Sequence, residues 1–268
     1  MSDTRAERRR VERTKIKNSM KFEMKFELLQ PWSTFVMKTE LPPHILKKMI
    51  KITDEIIEKK DTAVRAGDDL AGEIKDEFWI PRDILDREEL SQFFLAMCNN
   101  FIVQQYCQNW PGNSESIQKE DWQARLQDMW VVSQKDNEYN PSHIHYADIS
   151  AVMYLKIPEY LSSRKSLNLE KHPIKITNDP YDGAIEFSNN TSQDKIFPEG
   201  TIHIQPQVGD FFIFPAGQRH QVYPFRTVDG KGERRSASFN AVFSSRSTEK
   251  WLKNKMKIQK EDSWNEKL

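Results

Sequence analysis

Asn140-Pro-Ser-His-Ile-His-Tyr-Ala-Asp-Ile-Ser-Ala-Val-Met-Tyr-Leu155 opens on turn-forming residues and runs into an unbroken β-rich segment. Such a run, bounded by turn signals, predicts a buried strand. Where the histidines enter that strand, positions i and i+2 project from one face, so His143 and His145 can reach one ion. Asp148 follows three residues after His145 and offers a carboxylate.

Two later stretches add to this one. Val208-Gly-Asp-Phe-Phe-Ile-Phe-Pro-Ala-Gly-Gln-Arg-His-Gln-Val carries an apolar strand into a Pro-Ala-Gly turn, and the next strand opens with His220. In a barrel the ends of distant strands converge at one mouth, so His220 can share a site with His145. In Glu233-Arg-Arg-Ser-Ala-Ser-Phe-Asn, strand alternation puts Arg234, Ser236 and Ser238 on one face. That face offers a guanidinium and two hydroxyls to a carboxylate. A metal held from one side by histidines and a carboxylate keeps open positions, which iron(II) needs to hold a chelating co-substrate together with dioxygen.

Around these stretches the chain divides by character. Ile45, Met49, Ile52, Ile56 and Ile57 recur at helical spacing after Pro43, and Leu90, Phe93, Phe94, Met97, Phe101 and Tyr106 form a second stripe. From Asp121 onward short β-rich runs alternate with turns: Met129 to Val132, Ile149 to Ile157, Gly183 to Phe187, Thr201 to Ile204, Gly209 to Phe214 and Ser236 to Phe243. The expectation is an α+β, β-rich chain with helices first and a barrel after them. Phe22-Glu-Met-Lys-Phe-Glu-Leu-Leu predicts a further half-buried strand, and Thr248 to Ile258 is a charged amphipathic stretch that reads as a final helix or a frayed end. The insert from Glu159 to Asn178 reads as a lid or a loop.

Composition excludes several classes. Lys+Arg and Asp+Glu number 40 each, so no global field attracts phosphates, and nucleic-acid or membrane-surface binding is disfavoured as the main task. The five arginines among the first 13 residues make a local basic arm. No stretch reaches the roughly 18 to 20 apolar residues of a membrane span, and the chain reads as soluble, with a cytoplasmic location expected. Two cysteines, Cys98 and Cys107, supply no disulfide framework and read as reduced, packed thiols.

In this order, Asn140-x-x-His-x-His-x-x-Asp-x-Ser with Tyr154-Leu155, Gly183-x-Ile-x-Phe, Gly209-Asp-x-x-x-Phe-Pro-x-x-x-x-His220-x-Val-x-Pro and Glu233-Arg234-x-Ser236-x-Ser238-Phe-Asn240 resemble the 2-oxoglutarate and iron(II)-dependent oxygenases. The likeness is to the prolyl-hydroxylase-like members of phages and bacteria. It implies a double-stranded β-helix, a jelly-roll or cupin-like barrel, with N-terminal helices packed on it. It also implies an Fe(II)- and 2-oxoglutarate-dependent dioxygenase, with dioxygen as co-substrate, that hydroxylates a prolyl or other side-chain or small-molecule C–H bond. Iron would be bound by histidines, and 2-oxoglutarate by Arg234 with help from Ser236, Tyr154 and Asn240.

The expected organisation is a basic arm over 1–20, an oxygenase domain over 21–246 and a C-terminal helix or tail over 247–268. Within the domain, helical support covers 41–115 and the barrel core 121–243. The first ligand pair departs from the family's His-x-Asp or His-x-Glu, because this chain has His143-x-His145 with Asp148 displaced. Two ligand sets stand open: His145, Asp148 and His220, or His143, His145 and His220. The first is preferred here, because a carboxylate cancels one unit of the ion's charge.

Each residue also has a plainer role. A strand histidine is often only hydrogen-bonded, Asp148 can cap a turn, Arg234 beside Arg235 can be a solvated edge, and Tyr154, Asn140, Asn240 and Trp130 can be packing or seam residues. His44, His172 and His203 belong to no such pattern, and Phe187, Phe212 and Phe214 are candidate pocket walls. A cupin-like metal or sugar-binding protein is the alternative, since Gly209 to His220 fits the second cupin motif. Against it, Pro224 stands where that motif has Asn, and the first motif's Glu is missing. A metal-free adaptor barrel is the third reading.

Overall fold

The computed structural model describes residues 35–67, 70–72, 74–109, 122–160, 181–189 and 200–245. The expected strand at 22–29, most of the insert from 159 to 178, His172 and the C-terminal stretch lie outside these residues.

The decisive feature of the strands is that the central ones are buried on both faces. In β5 (Ile149–Lys156), Ile149, Ala151, Met153 and Leu155 join one apolar cluster, while Val152 and Tyr154 join another. In β8 (Asp210–Pro215), Phe211 and Ile213 point one way and Phe212 and Phe214 the other. Such a sequence reads as a continuous apolar run, as strands covered on both sides do.

One cover is helical. Along α1 (Pro43–Glu58), Ile45, Met49, Ile52 and Ile56 are buried, with Pro43 in the first turn. α3 (Leu90–Asn109), after the short α2 (Arg82–Arg87), contributes Leu90, Phe94, Cys98, Phe101 and Ile102. Cys98 is therefore a packed thiol, pushed up to about 12 by burial. Helical and strand halves share this one core. Phe94 is fully buried and meets Phe211 edge-on at 6.1 Å and Phe239 at 5.2 Å.

With β1 (Met37–Glu40), β2 (Glu77–Trp79), β3 (Trp122–Lys135) and β10 (Glu233–Ser245), the strands β5 and β8 form a six-stranded sheet in the order β1-β8-β5-β10-β3-β2. The second sheet has four strands, β4 (Asn140–His143), β9 (His220–Val222), β6 (Ile185–Ser188) and β7 (Thr201–Ile204), in the order β4-β9-β6-β7. All pairings are antiparallel. This is the expected double-stranded β-helix carrying its helices on one side. The closed barrel of the sequence reading is not found: among the described residues no strand pairing joins the two sheets, which face each other with open edges.

Turns fix the sheet ends. Asp136, after β3, accepts hydrogen bonds from Thr227 N (2.7 Å), Thr227 Oγ1 (2.9 Å) and Gly232 N (3.1 Å). Arg235 on β10 pairs with Asp54 of α1 and, at 2.7 Å, with Glu233, fastening the helical layer to the sheet. Phe94→Ala removes the ring between α3 and the large sheet. It should cost about 3–5 kcal/mol of stability, read by urea denaturation; a loss below about 1 kcal/mol would contradict this core.

Candidate metal centre

Strand pairing makes the first contact. His143 ends β4 and His220 begins β9, and the two are register partners with ring centroids 4.3 Å apart. His145 lies just beyond β4, where its backbone N–H donates to Ala216 O at 2.9 Å in the Pro-Ala-Gly turn. A turn contact thus orients it, in place of the strand alternation expected from sequence. The candidate ligand atoms of His143, His145 and His220 lie within 4.8 Å of one another, and His145 Nε2 is 3.3 Å from His220 Nε2.

Backbone carbonyls set the tautomers. His143 Nδ1 is 2.6 Å from Pro141 O and His220 Nδ1 is 2.9 Å from Gln218 O. A nitrogen facing a carbonyl oxygen carries the proton, which leaves each Nε2 a lone pair for the shared space. Burial lowers the pKa of all three rings, to about 4 at His145 and about 3 at His220; neighbouring imidazoles add to the effect at those two, and Arg219 adds to it at His143. The rings are neutral at neutral pH and ready to bind a cation. Metal–nitrogen bonds of about 2.0–2.1 Å put ligand nitrogens roughly 3 Å apart, close to the His145–His220 spacing.

Asp148 is not brought to this cluster. Its side chain is exposed, its Oδ2 accepts from Phe243 N at 3.0 Å, and its backbone N–H and C=O bond Ala241 O and Ala216 N. The carboxylate stitches the start of β5 to β10, which is the turn-capping role and not the preferred ligand role. Of the two ligand sets open in the sequence, the geometry assembles the three-histidine one.

Behind the histidines, the inward residues of β10 line a narrow pocket: Arg234, Ser236 and Ser238, with Ser150, Val152 and Phe214 on neighbouring strands. Arg234 is 3% exposed and its guanidinium lies 4.7 Å from the Tyr154 ring centroid. Arg234 Nη1 donates to Gln134 Oε1 at 2.6 Å. Arg234 Nε and Tyr154 Oη are buried without a hydrogen-bond partner, and burial raises the Tyr154 pKa. Among the described residues no carboxylate pairs with this guanidinium. A buried cation without a counter-charge is costly, so the pocket suits an anionic ligand. Phe187, Phe212 and Phe214 cluster with Tyr154, and of these phenylalanines Phe214 lines the pocket, whereas His203 pairs with Glu186 at 3.0 Å, apart from the cluster.

Gln134 escaped the sequence reading. Its Nε2 donates to Glu138 O at 2.5 Å, and this turns its carbonyl oxygen toward Arg234. Only the β3–β10 register, which sets Gln134 opposite Arg234, exposes the role. Asn240 lines a wider cleft beside His143 and His145, together with Trp130, which is also buried against Trp79.

The site is that of a jelly roll with three histidines whose ligand atoms are spaced to hold one metal ion, beside a pocket lined by a buried guanidinium. A family model for 2OG-Fe(II) oxygenases matches residues 128–240, which span β3 to β10 and include every residue of the histidine cluster and Arg234. These residues match the family that the resemblance named, whose enzyme class and cofactors, Fe(II) and 2-oxoglutarate, are the expected ones. No curated protein matches the chain. Solved structures similar to it include a Pseudomonas putida prolyl-4-hydroxylase, at 15% identity and a TM-score of 0.42, covering 79% of this chain and 92% of that one. A Trichoplax adhaerens prolyl hydroxylase, solved with a hypoxia inducible factor peptide fragment, is similar at 12% identity and a TM-score of 0.45, covering 89% and 93%. A viral collagen prolyl hydroxylase from Paramecium Bursaria Chlorella virus-1 is similar at 13% identity and a TM-score of 0.41, covering 77% and 94%. None of the described helices is long and apolar enough to cross a membrane.

Alanine at His143, His145 or His220 should each lower affinity for Fe(II) or Mn(II) more than about 100-fold, measured by metal titration of the purified protein. Asp148→Ala should stay within a few-fold of the parent; a collapse of metal affinity there would restore the carboxylate as a ligand.

Proposed function

We infer that the protein hydroxylates an unactivated C–H bond of a peptide side chain or small molecule, with iron(II) held by His143, His145 and His220 and 2-oxoglutarate by Arg234. The observation that carries this reading is one arrangement: three neutral imidazoles converge beside a buried guanidinium that, among the described residues, lacks a counter-charge.

When bound, ferrous iron with 2-oxoglutarate and dioxygen supplies oxidative decarboxylation to succinate and carbon dioxide and the oxidising power to hydroxylate a C–H bond. The protein's own part is placement. Arg234 takes the far carboxylate of the co-substrate, with its unpartnered Nε and the Nη hydrogens not given to Gln134 as donors. Tyr154 Oη and the Ser236 hydroxyl add donors from the same wall. Gln134 holds the guanidinium in plane, because its amide is fixed by Glu138 O and by Tyr223 O at 3.4 Å. Phe187, Phe212 and Phe214 keep water from the pocket, which strengthens each of these contacts.

Arg234→Ala should weaken 2-oxoglutarate binding on the order of 100-fold or more while metal affinity changes little, both by calorimetry. Equal loss of both would count against the assigned role. Gln134→Leu should give a smaller loss of 2-oxoglutarate affinity in the same direction. Metal binding with no 2-oxoglutarate affinity in the parent protein would favour the cupin alternative.

A further inference from the structure

β3 alternates between the faces of the large sheet except at one place. Leu126 and Met129 both join the apolar layer under the helices, although they are three residues apart. The pairing with β10 explains this. Phe239 stands opposite Met129 and Ala241 opposite Leu126, so Gln127 and Asp128 together face Asn240 alone. Two residues against one make a β-bulge, a device that re-aims side chains and recurs beside active sites.

Both bulge residues line, with Asn240, His143 and His145, a cleft of about 670 Å³. Its aromatic lining comes from Trp79 and Trp130, edge to face at 5.9 Å, and from Tyr146, which is 97% exposed. The volume suits a small molecule or one side chain of a larger partner. Among the described residues Asp128 is its single acidic lining residue, and no lysine or arginine lines it. Asn240 Oδ1 is buried without a partner, a spare acceptor for an N–H donor. An anionic substrate would meet the Asp128 carboxylate with no compensating cation. A cationic one would gain from the carboxylate and from the faces of the rings.

We propose that this bulge reads the substrate, and that the substrate presents an ammonium or guanidinium group on an apolar stem. The Asp128 carboxylate takes the cation, the Gln127 and Asn240 amides hold neighbouring polar atoms, and the stem lies along Trp79, Trp130 and Tyr146. A C–H bond of the stem is then left beside His143 and His145. The proposal rests on the oxygenase reading and names the substrate class of that same site.

The test uses the full chain loaded with Zn(II), with 2-oxoglutarate affinity measured first. It is then titrated with the N-acetyl amides of lysine, arginine, norleucine and glutamate, followed by tryptophan fluorescence. The lysine and arginine probes should bind on the order of tenfold tighter than norleucine, with glutamate weakest. Asp128→Asn should bring lysine to within about twofold of norleucine, and Asp128→Lys should move the preference to glutamate, each variant being checked for folding by circular dichroism. Equal binding of all probes, binding of none, or a lysine preference that survives Asp128→Asn overturns the proposal. A preserved cation preference in a protein that binds no 2-oxoglutarate would instead overturn the oxygenase reading.

Discussion

Burial of the large sheet on both faces is the constraint on which the site depends. Helices α1 and α3 claim the odd-numbered residues of β5, β8 and β10, from Ile149 to Ala241. The even-numbered residues are thereby committed to the interior between the sheets, and a one-residue slip would exchange the two sets. Arg234, Ser236 and Ser238 reach the pocket for that reason. A guanidinium there is paid for by the apolar layer behind it.

Charge is the second theme. Three neutral imidazoles cancel none of a divalent ion's charge, and Arg234 adds another positive centre a short way into the pocket. In the proposed function the counter-charge comes from the dianionic co-substrate, so ligand and site complete each other. Asp148, which would have supplied a permanent negative charge, spends its carboxylate on the backbone of Phe243. The outer cleft carries the opposite bias, with Asp128 as its acidic group. On the proposed reading, co-substrate and substrate sides of the site are thus distinguished by sign.

Much of this was legible from residues 140–155, 208–222 and 233–240, because strand periodicity there coincides with chemistry: His-x-His, Pro-Ala-Gly-x-x-His and Arg-x-Ser-x-Ser. Period two correctly shares Arg234, Ser236 and Ser238 on one face, and helical spacing marks the buried stripes of α1 and α3. What the sequence hid depends on pairing between distant strands. Gln134 is an ordinary polar residue until the β3–β10 register sets it against Arg234. The bulge at Gln127 and Asp128 is likewise a property of two strands, though Leu126 and Met129 at a spacing of three were its trace. The short edge strands β1 and β2 were too brief to announce themselves. The charge of Asp148 argues for a ligand from sequence alone, whereas the structure sets its carboxylate against Phe243 N.

The most direct measurement is an anaerobic visible spectrum of the Fe(II)-loaded protein as 2-oxoglutarate is added. Chelation by the co-substrate at an iron held by His143, His145 and His220 predicts a charge-transfer band that grows to saturation at one equivalent and needs both metal and co-substrate. A protein that binds the iron but shows no such band at saturating 2-oxoglutarate would contradict the account.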